Sequence, residues 1–188
     1  MSLESVLLGM LDKPSSGYDL KTIFDRSARH FWSAQLPQVY ATLRRMERDG
    51  LLRRKEHAPS KGPARKVYSL TATGRKKLRT WLLENPHFGD ERKEHLAQLF
   101  YMGALENLEE TEAYLNKVRE KYARDLYVLE QTKKQWLAMA GCTPDELSDS
   151  HFHRYLTLTS GLKAAASRIE WCDESIKRIR KRRRARTT

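Results

Sequence analysis

Gln38, Ala41, Arg44, Arg45 and Arg48 recur along one stretch at intervals of about three and four residues. A guanidinium carries two parallel donors that match O6 and N7 of guanine, and a glutamine amide matches N6 and N7 of adenine. Projected from one helical face, these groups suit base edges in a DNA major groove; the competing reading is a solvated basic face. At ~100° per residue, Leu36, Val39, Leu43 and Met46 gather on the opposite side, with Tyr40 on the flank. Pro37 suits the first turn of such a helix and Gly50 a stop after Asp49. Tyr40 then falls in the first turn, near where a helix N-terminus meets phosphate, or packs with its hydroxyl in water.

A second basic group, Lys61, Arg65 and Lys66, needs a different support. Leu51 to Glu56 reads as a short strand. Residues 57–65 contain Pro59, Gly62 and Pro63 and read as a loop, and Lys66 to Leu70 alternates as a returning strand. A hairpin after a third helix is the wing of a winged helix-turn-helix, with Lys61, Arg65 and Lys66 at its tip for phosphate or a minor groove. Upstream, Leu3, Val6, Leu7, Met10 and Leu11 have helical spacing. Pro14-Ser15-Ser16-Gly17 is a turn, in which Ser15 or Ser16 caps a second helix running to about Ser27. Tyr18, Leu20, Ile23 and Phe24 form that helix's apolar side. Phe31 and Trp32 lie in the connection that follows. Thr71 caps a fourth helix, whose Leu78, Trp81 and Leu82 face inward.

These stretches carry a resemblance. Pro14–Leu20, Val39–Leu52 and Val67–Arg75, in that order and around a glycine-bearing loop, resemble the PadR family of transcriptional regulators. The likeness spans residues 1–83. It implies a sequence-specific, dimeric DNA-binding regulator, usually a repressor, with DNA contacts at Gln38, Tyr40, Ala41, Arg44, Arg45, Arg48, Lys61, Arg65 and Lys66. It also implies release by a small, aromatic effector sensed between head and arm. Trp32, Trp81, Trp136 and Trp171 could stack on such a ligand, or simply fill helix interfaces.

Residues 84–176 read as a separate helical block. Asn85-Pro86 and Gly89-Asp90 mark the boundary. Leu96, Leu99, Phe100 and Gly103 follow at helical spacing. A long helix then carries Leu115, Val118, Tyr122, Leu126, Leu129 and Trp136 and ends at Gly141-Cys142-Thr143-Pro144, after which Thr143 or Ser148 caps another helix. In that last helix Phe152, Tyr155, Thr159, Leu162, Ala166, Ile169, Cys172, Ile176 and Ile179 form a stripe that needs a covering partner. The cover is either an intrachain bundle or a second copy. The block resembles the PadR subfamily related to virulence-activator C-terminal domains, which implies a homodimer through Tyr155, Leu162, Ile169 and Ile176. Such a dimer would set two reading helices about 34 Å apart on a palindromic operator.

The fold class expected is therefore mainly α with a small β-hairpin: an N-terminal winged helix-turn-helix, a C-terminal helical dimerisation arm, and a basic tail over residues 177–188. Charge follows this division. Residues 1–83 hold 17 basic and 7 acidic side chains, residues 84–176 hold 11 and 17, and residues 177–188 hold 8 and none. So much like charge resists compact order, so the tail is expected to be mobile and to add salt-sensitive, non-specific affinity.

Catalytic patterns are missing. The histidines (30, 57, 87, 95, 151 and 153) form no His-Glu-x-x-His, and no phosphate loop or nucleophile elbow occurs. Cys142 and Cys172 lie thirty positions apart and make neither a disulfide framework nor a zinc site; Cys172 falls on the apolar stripe. No membrane partner, metal or cofactor is expected, and the first residues lack a secretory n-region, so the expected setting is cytoplasmic. A winged-helix module that binds protein, its charge serving solubility, is the alternative. RNA binding would call for aromatic platforms, and the basic face shows none.

Overall fold

The computed structural model describes residues 3–24, 34–57, 65–86 and 92–187, without the side chains of His57, Arg65 and Thr187. The wing-tip Lys61, the connection with Phe31 and Trp32, and the end of the second helix beyond Phe24 lie outside these residues. The chain divides into two compact units, residues 1–90 and 91–188.

In the first unit, α1 (Leu3–Met10), α2 (Gly17–Ile23), α3 (Leu36–Arg48) and α4 (Ala72–Leu82) surround a three-stranded sheet. The wing strands β2 (Leu52–His57) and β3 (Arg65–Leu70) pair antiparallel from Leu52↔Leu70 to His57↔Arg65. Two residues, Ser15 and Ser16, form β1 on the far edge of β3, opposite Tyr68 and Val67. Ser16 also caps α2: its hydroxyl accepts the Asp19 N–H at 3.2 Å, and the Asp19 carboxylate accepts the Ser16 N–H at 3.0 Å. The core joins Leu7, Leu8 and Leu11 of the first helix region to Leu20, Val39, Leu43, Met46, Leu51, Leu52, Tyr68 and Leu70. Each such aliphatic side chain contributes about 1.5–3 kcal/mol by leaving water.

Some side chains depart from the expected pattern. Tyr18 and Ile23 are exposed, so only Leu20 and Phe24 form the buried side of α2. Leu82 is also exposed and Trp81 only half-buried, because the last turn of α4 runs past the core and Leu78 alone packs against it.

A compact junction closes this unit. Gly50 adopts a left-handed φ of 70°, which lets the chain leave α3 directly into the wing. The Thr71 hydroxyl donates to the Gly50 carbonyl at 2.7 Å and accepts the Gly74 N–H at 3.0 Å. The Thr71 N–H donates to the Leu51 carbonyl, also at 3.0 Å.

The second unit consists of α5 (Glu94–Tyr101), a 3₁₀ turn (Met102–Leu105), α6 (Leu108–Ala140), a second 3₁₀ turn (Pro144–Glu146) and α7 (Asp149–Thr187). Asn107 caps α6, and Gly141 ends it with φ 64°. The hydroxyl of Thr143 and its N–H both meet the Glu146 carboxylate, so Thr143 caps the 3₁₀ turn. Ser148 precedes α7 and accepts the Phe152 N–H at 2.8 Å.

Helices α6 and α7 form an antiparallel hairpin. Arg119 meets Asp173 at 2.5 Å, Arg168 lies over the Tyr122 ring at 5.4 Å, and Trp136 meets His151 edge-on at 5.8 Å. Leu115 and Tyr122 are buried from α6, and Leu158, Ala165, Cys172 and Ile176 from α7. The buried seam is therefore 158–162–165–169–172–176–179, steps of four and three. It replaces the expected run through Thr159 and Ala166, and Ala166 is exposed. Of the expected dimer residues, Ile176 is spent inside this hairpin. Leu162 and Ile169 share its seam, and Tyr155 is half-buried under Lys133.

The expectation of a mobile tail is corrected as well. Helix α7 continues to Thr187, and Arg180 and Arg183 pair with Glu112, Arg183 also with Glu109. Basic side chains at the last turn complement the negative end of the helix.

α5 docks on the hairpin through His95, whose Nε2 lies 2.6 Å from the Tyr122 hydroxyl. The Tyr114 hydroxyl lies 2.9 Å from the His95 carbonyl oxygen and 2.7 Å from Gln98 Oε1. Burial, then the charges of Arg168 and Lys93, hold the imidazole pKa below its ordinary value.

Two outcomes follow. A Cβ on Gly74 would sit 2.2 Å from the Leu51 carbonyl oxygen, whereas one on Gly103 would meet nothing within 4 Å. Gly74→Ala should therefore cost about 1–3 kcal/mol in urea unfolding, with Gly103→Ala as a near-neutral control. His95, with its depressed folded pKa, stabilises the native state above the ordinary imidazole range. That contribution is lost as pH falls through the folded value. The unfolding midpoint of the second unit should drop on mild acidification, and His95→Gln should flatten that slope.

Candidate nucleic-acid interface

Helix α3 separates its two faces as the residue types require. Val39, Leu43 and Met46 are fully buried, while Gln38, Tyr40, Ala41, Arg44, Arg45 and Arg48 are exposed. Arg44 and Arg48 make no ion pair among the described residues. Their guanidinium donors are thus open to a ligand.

Two side chains on the same face are already engaged. Gln38 Oε1 accepts the N–H of Gln35 at 3.0 Å and caps its own helix, which leaves only its amide NH₂ to donate elsewhere. Arg45 Nη2 lies 3.4 Å from Glu4, a carboxylate 11% exposed on α1 that also takes Lys77 at 2.5 Å. Glu4 escaped sequence reading, though a lone acid beside the apolar stripe of the first helix was its signal. Tyr40 lies against the start of α2: a Cβ on Gly17 would come within 2.3 Å of its ring. The ring therefore packs while its rim stays exposed, which joins the two readings of this residue.

On the wing, Lys66 is exposed near the start of β3, opposite Glu56. Lys61 and the Arg65 side chain lie outside the described residues. Strand β2 adds cations that sequence reading passed over. Lys55 is exposed, and Arg53 is held by the Ser69 hydroxyl at 3.0 Å. Arg54 is taken by Glu47 at 3.4 Å and Glu56 at 3.7 Å. Tyr18, 68% exposed on the first turn of α2, is a further exposed aromatic.

In the second unit, α6 and α7 open a shallow groove of about 450 Å³, floored by Leu126, Leu137, Leu162 and Ala166, with Lys134 and Lys163 on its rim. No group of three or more His, Cys, Asp or Glu side chains among the described residues could hold a metal ion. His151 and His153 turn to Ser148 and to the Asp149 carbonyl. Burial pushes the Cys172 thiol pKa up, so it stays protonated in the hairpin seam. No helix among the described residues is long and apolar enough to cross a membrane.

The sequence matches the Transcriptional regulator PadR-like family over residues 6–80 and Virulence activator alpha C-term over residues 91–180. It is 28% identical to a Mycobacterium tuberculosis protein described as "Probable transcriptional regulator Rv1176c", over 95% of this chain and 97% of that one. It is 25% identical to the Negative transcriptional regulator PadR of Bacillus subtilis, over 95% and 98%. The fold is that of the crystal structure of Bacillus subtilis PadR in complex with operator DNA, with a TM-score of 0.81, 24% identity, and coverage of 94% and 98%. The structure of the same protein in complex with p-coumaric acid gives a TM-score of 0.74, 24% identity, and coverage of 94% of each chain.

Glu4 should prove a stabilising anchor of this surface. Glu4→Gln removes the charge on which Arg45 and Lys77 converge. Both cations are half-exposed, so screening limits the cost to about 1 kcal/mol, read as a lower urea midpoint.

Proposed function

We propose that the chain is a PadR-like transcriptional regulator, a homodimeric repressor reading a palindromic operator with α3. It is a regulator rather than an enzyme. The observation that carries the reading is the division of α3: three side chains sealed in the core, and Arg44 and Arg48 turned outward without an acidic partner among the described residues. Arg44 and Arg48 are assigned to base edges. Arg45, tied to Glu4, is assigned to register and phosphate, and Ala41 to close approach or a thymine methyl. Gln38 reaches DNA through its free NH₂. Tyr40, Lys66, Lys61 and Arg65 are assigned to the backbone flanking the groove.

The second copy is inferred from surface left uncovered in the second unit. Phe100 and Met139 are about four-fifths exposed, and Tyr101, Tyr127, Val128 and Leu105 are more than half exposed. Apolar area of this kind marks an interaction surface. The interface is assigned to these residues together with Tyr155 and Trp171, in place of Ile176. Release by a small aromatic effector rests on the relative bound to p-coumaric acid. Such a ligand acts only if it prefers one of two conformations. The expected setting remains cytoplasmic, where the operator lies.

Selection of bound fragments from random DNA, followed by titration on the selected duplex, tests the reading. Arg44→Ala and Arg48→Ala should each cost about 1–3 kcal/mol and relax preference at one base pair. Arg45→Ala should weaken all sequences alike. If neither Arg44→Ala nor Arg48→Ala alters operator affinity, α3 is not the reading helix. Sedimentation should give twice the chain mass at micromolar concentration.

A further inference from the structure

The last three turns of α7, residues 177–187, carry eight basic side chains and no acid. Arg180 and Arg183 turn inward and grip α6 through Glu112, Arg180 Nε at 2.7 Å and Arg183 Nη1 at 2.8 Å. Arg183 also pairs with Glu109. At 100° per residue, Arg178, Lys181 and Arg182 fall on the outer half of the helix and Arg186 at its edge, beside Ile179. All four are exposed and make no ion pair among the described residues. The charge of Lys177 acts on Asp173, and Lys177 is not counted with them.

We propose that this outer face is a second DNA-contacting surface, a rigid track that lies along the phosphate backbone flanking the operator. It rests on the DNA-binding reading of the first unit and adds a contact outside it. From residue 178 to 186 the helix rises about 12 Å. At about 3.4 Å of duplex axis per phosphate of one strand, that length spans three to four phosphates when α7 runs alongside the duplex axis. The latch to Glu109 and Glu112 orders the helix before binding, so little conformational entropy is lost when DNA arrives.

The chemistry of the face argues against other polyanions. Between the four cations it offers only Ala185. A helix that enters a lipid surface needs an apolar face of Trp, Phe or Leu to bury. A protein interface needs aromatic or aliphatic anchors at its centre. A phosphate backbone needs only cations at the right spacing.

The test uses the full chain on two duplexes, the selected operator trimmed to its protected length and the same operator within about 60 base pairs. The variant changes Arg178, Lys181, Arg182 and Arg186 to Ala and keeps Arg180 and Arg183. A second variant changes the three arginines to Lys. Far-UV circular dichroism checks that the helix persists.

On the long duplex the Ala variant should flatten the salt slope by about 2.7 if three phosphates are released. The affinity ratio between wild type and variant should then shrink about 40-fold from 50 to 200 mM salt. The Lys variant should keep the wild-type slope, and the trimmed duplex should show little difference. An unchanged slope on the long duplex overturns the inference. So does a loss confined to vesicles of anionic lipid or to an acidic protein. If selection yields no operator, the earlier reading fails instead. The tail is then measured on an unrelated duplex of the same length, where an unchanged slope still counts against it.

Discussion

The first unit depends on how the chain leaves α3. In three residues it must end a helix, start a strand, and leave room for α4. Gly50 takes the left-handed turn that a side chain would resist. The carbonyls of Gly50 and Leu51 are then taken by the hydroxyl and N–H of Thr71. The same hydroxyl receives the Gly74 N–H, and Gly74 has no Cβ because the Leu51 carbonyl occupies that space. Helix α3, the β2–β3 hairpin and α4 are thereby fixed at one point. A reading helix must be held to a fraction of an ångström to place a bidentate guanidinium, and this junction supplies that rigidity where α3 ends.

Local signals made this unit legible from sequence. The apolar period of α3, Pro37 at its start, Gly50 at its end and Thr71 before α4 all act within a few residues of themselves, and all appear where expected. The failures share a different property. Two residues of β1 cannot show alternation, so Ser15 and Ser16 read only as a turn and cap. Tyr18 and Leu82 read as core because their types are apolar, yet each sits on a turn that outruns the core.

In the second unit the stripe of α7 was legible, and its register was off by one residue at two positions. A helix of 39 residues drifts about 20° per heptad against a strict seven-residue repeat. The expected stripe shares Leu162, Ile169, Cys172, Ile176 and Ile179 with the seam actually used, and differs only where Leu158 and Ala165 take the buried positions in place of Thr159 and Ala166. The seam consumes Ile176, which moves the surface left for a second copy toward the aromatic side chains of α5 and the outer faces of α6 and α7.

Charge counted along a sequence is not charge available to a ligand. Arg45 counts as a reader by type and face, but Glu4, 41 residues away, already holds it. Arg180 and Arg183 count as tail, but Glu112 and Glu109, 68 to 74 residues away, hold them. The Arg180 and Arg183 hydrogen bonds also pull the Glu112 pKa down, keeping that carboxylate ionised and the latch closed well below neutral pH. In both units an acid supplied from a distant part of the chain removes some cations from solvent and leaves others oriented. Among the described residues, Arg44 and Arg48 on one helix and Arg178, Arg182 and Arg186 on another are the arginines left without an acid on these faces. Fixed, unpaired cations at helical spacing can discriminate between polyanions, whereas a mobile excess of charge can only concentrate them.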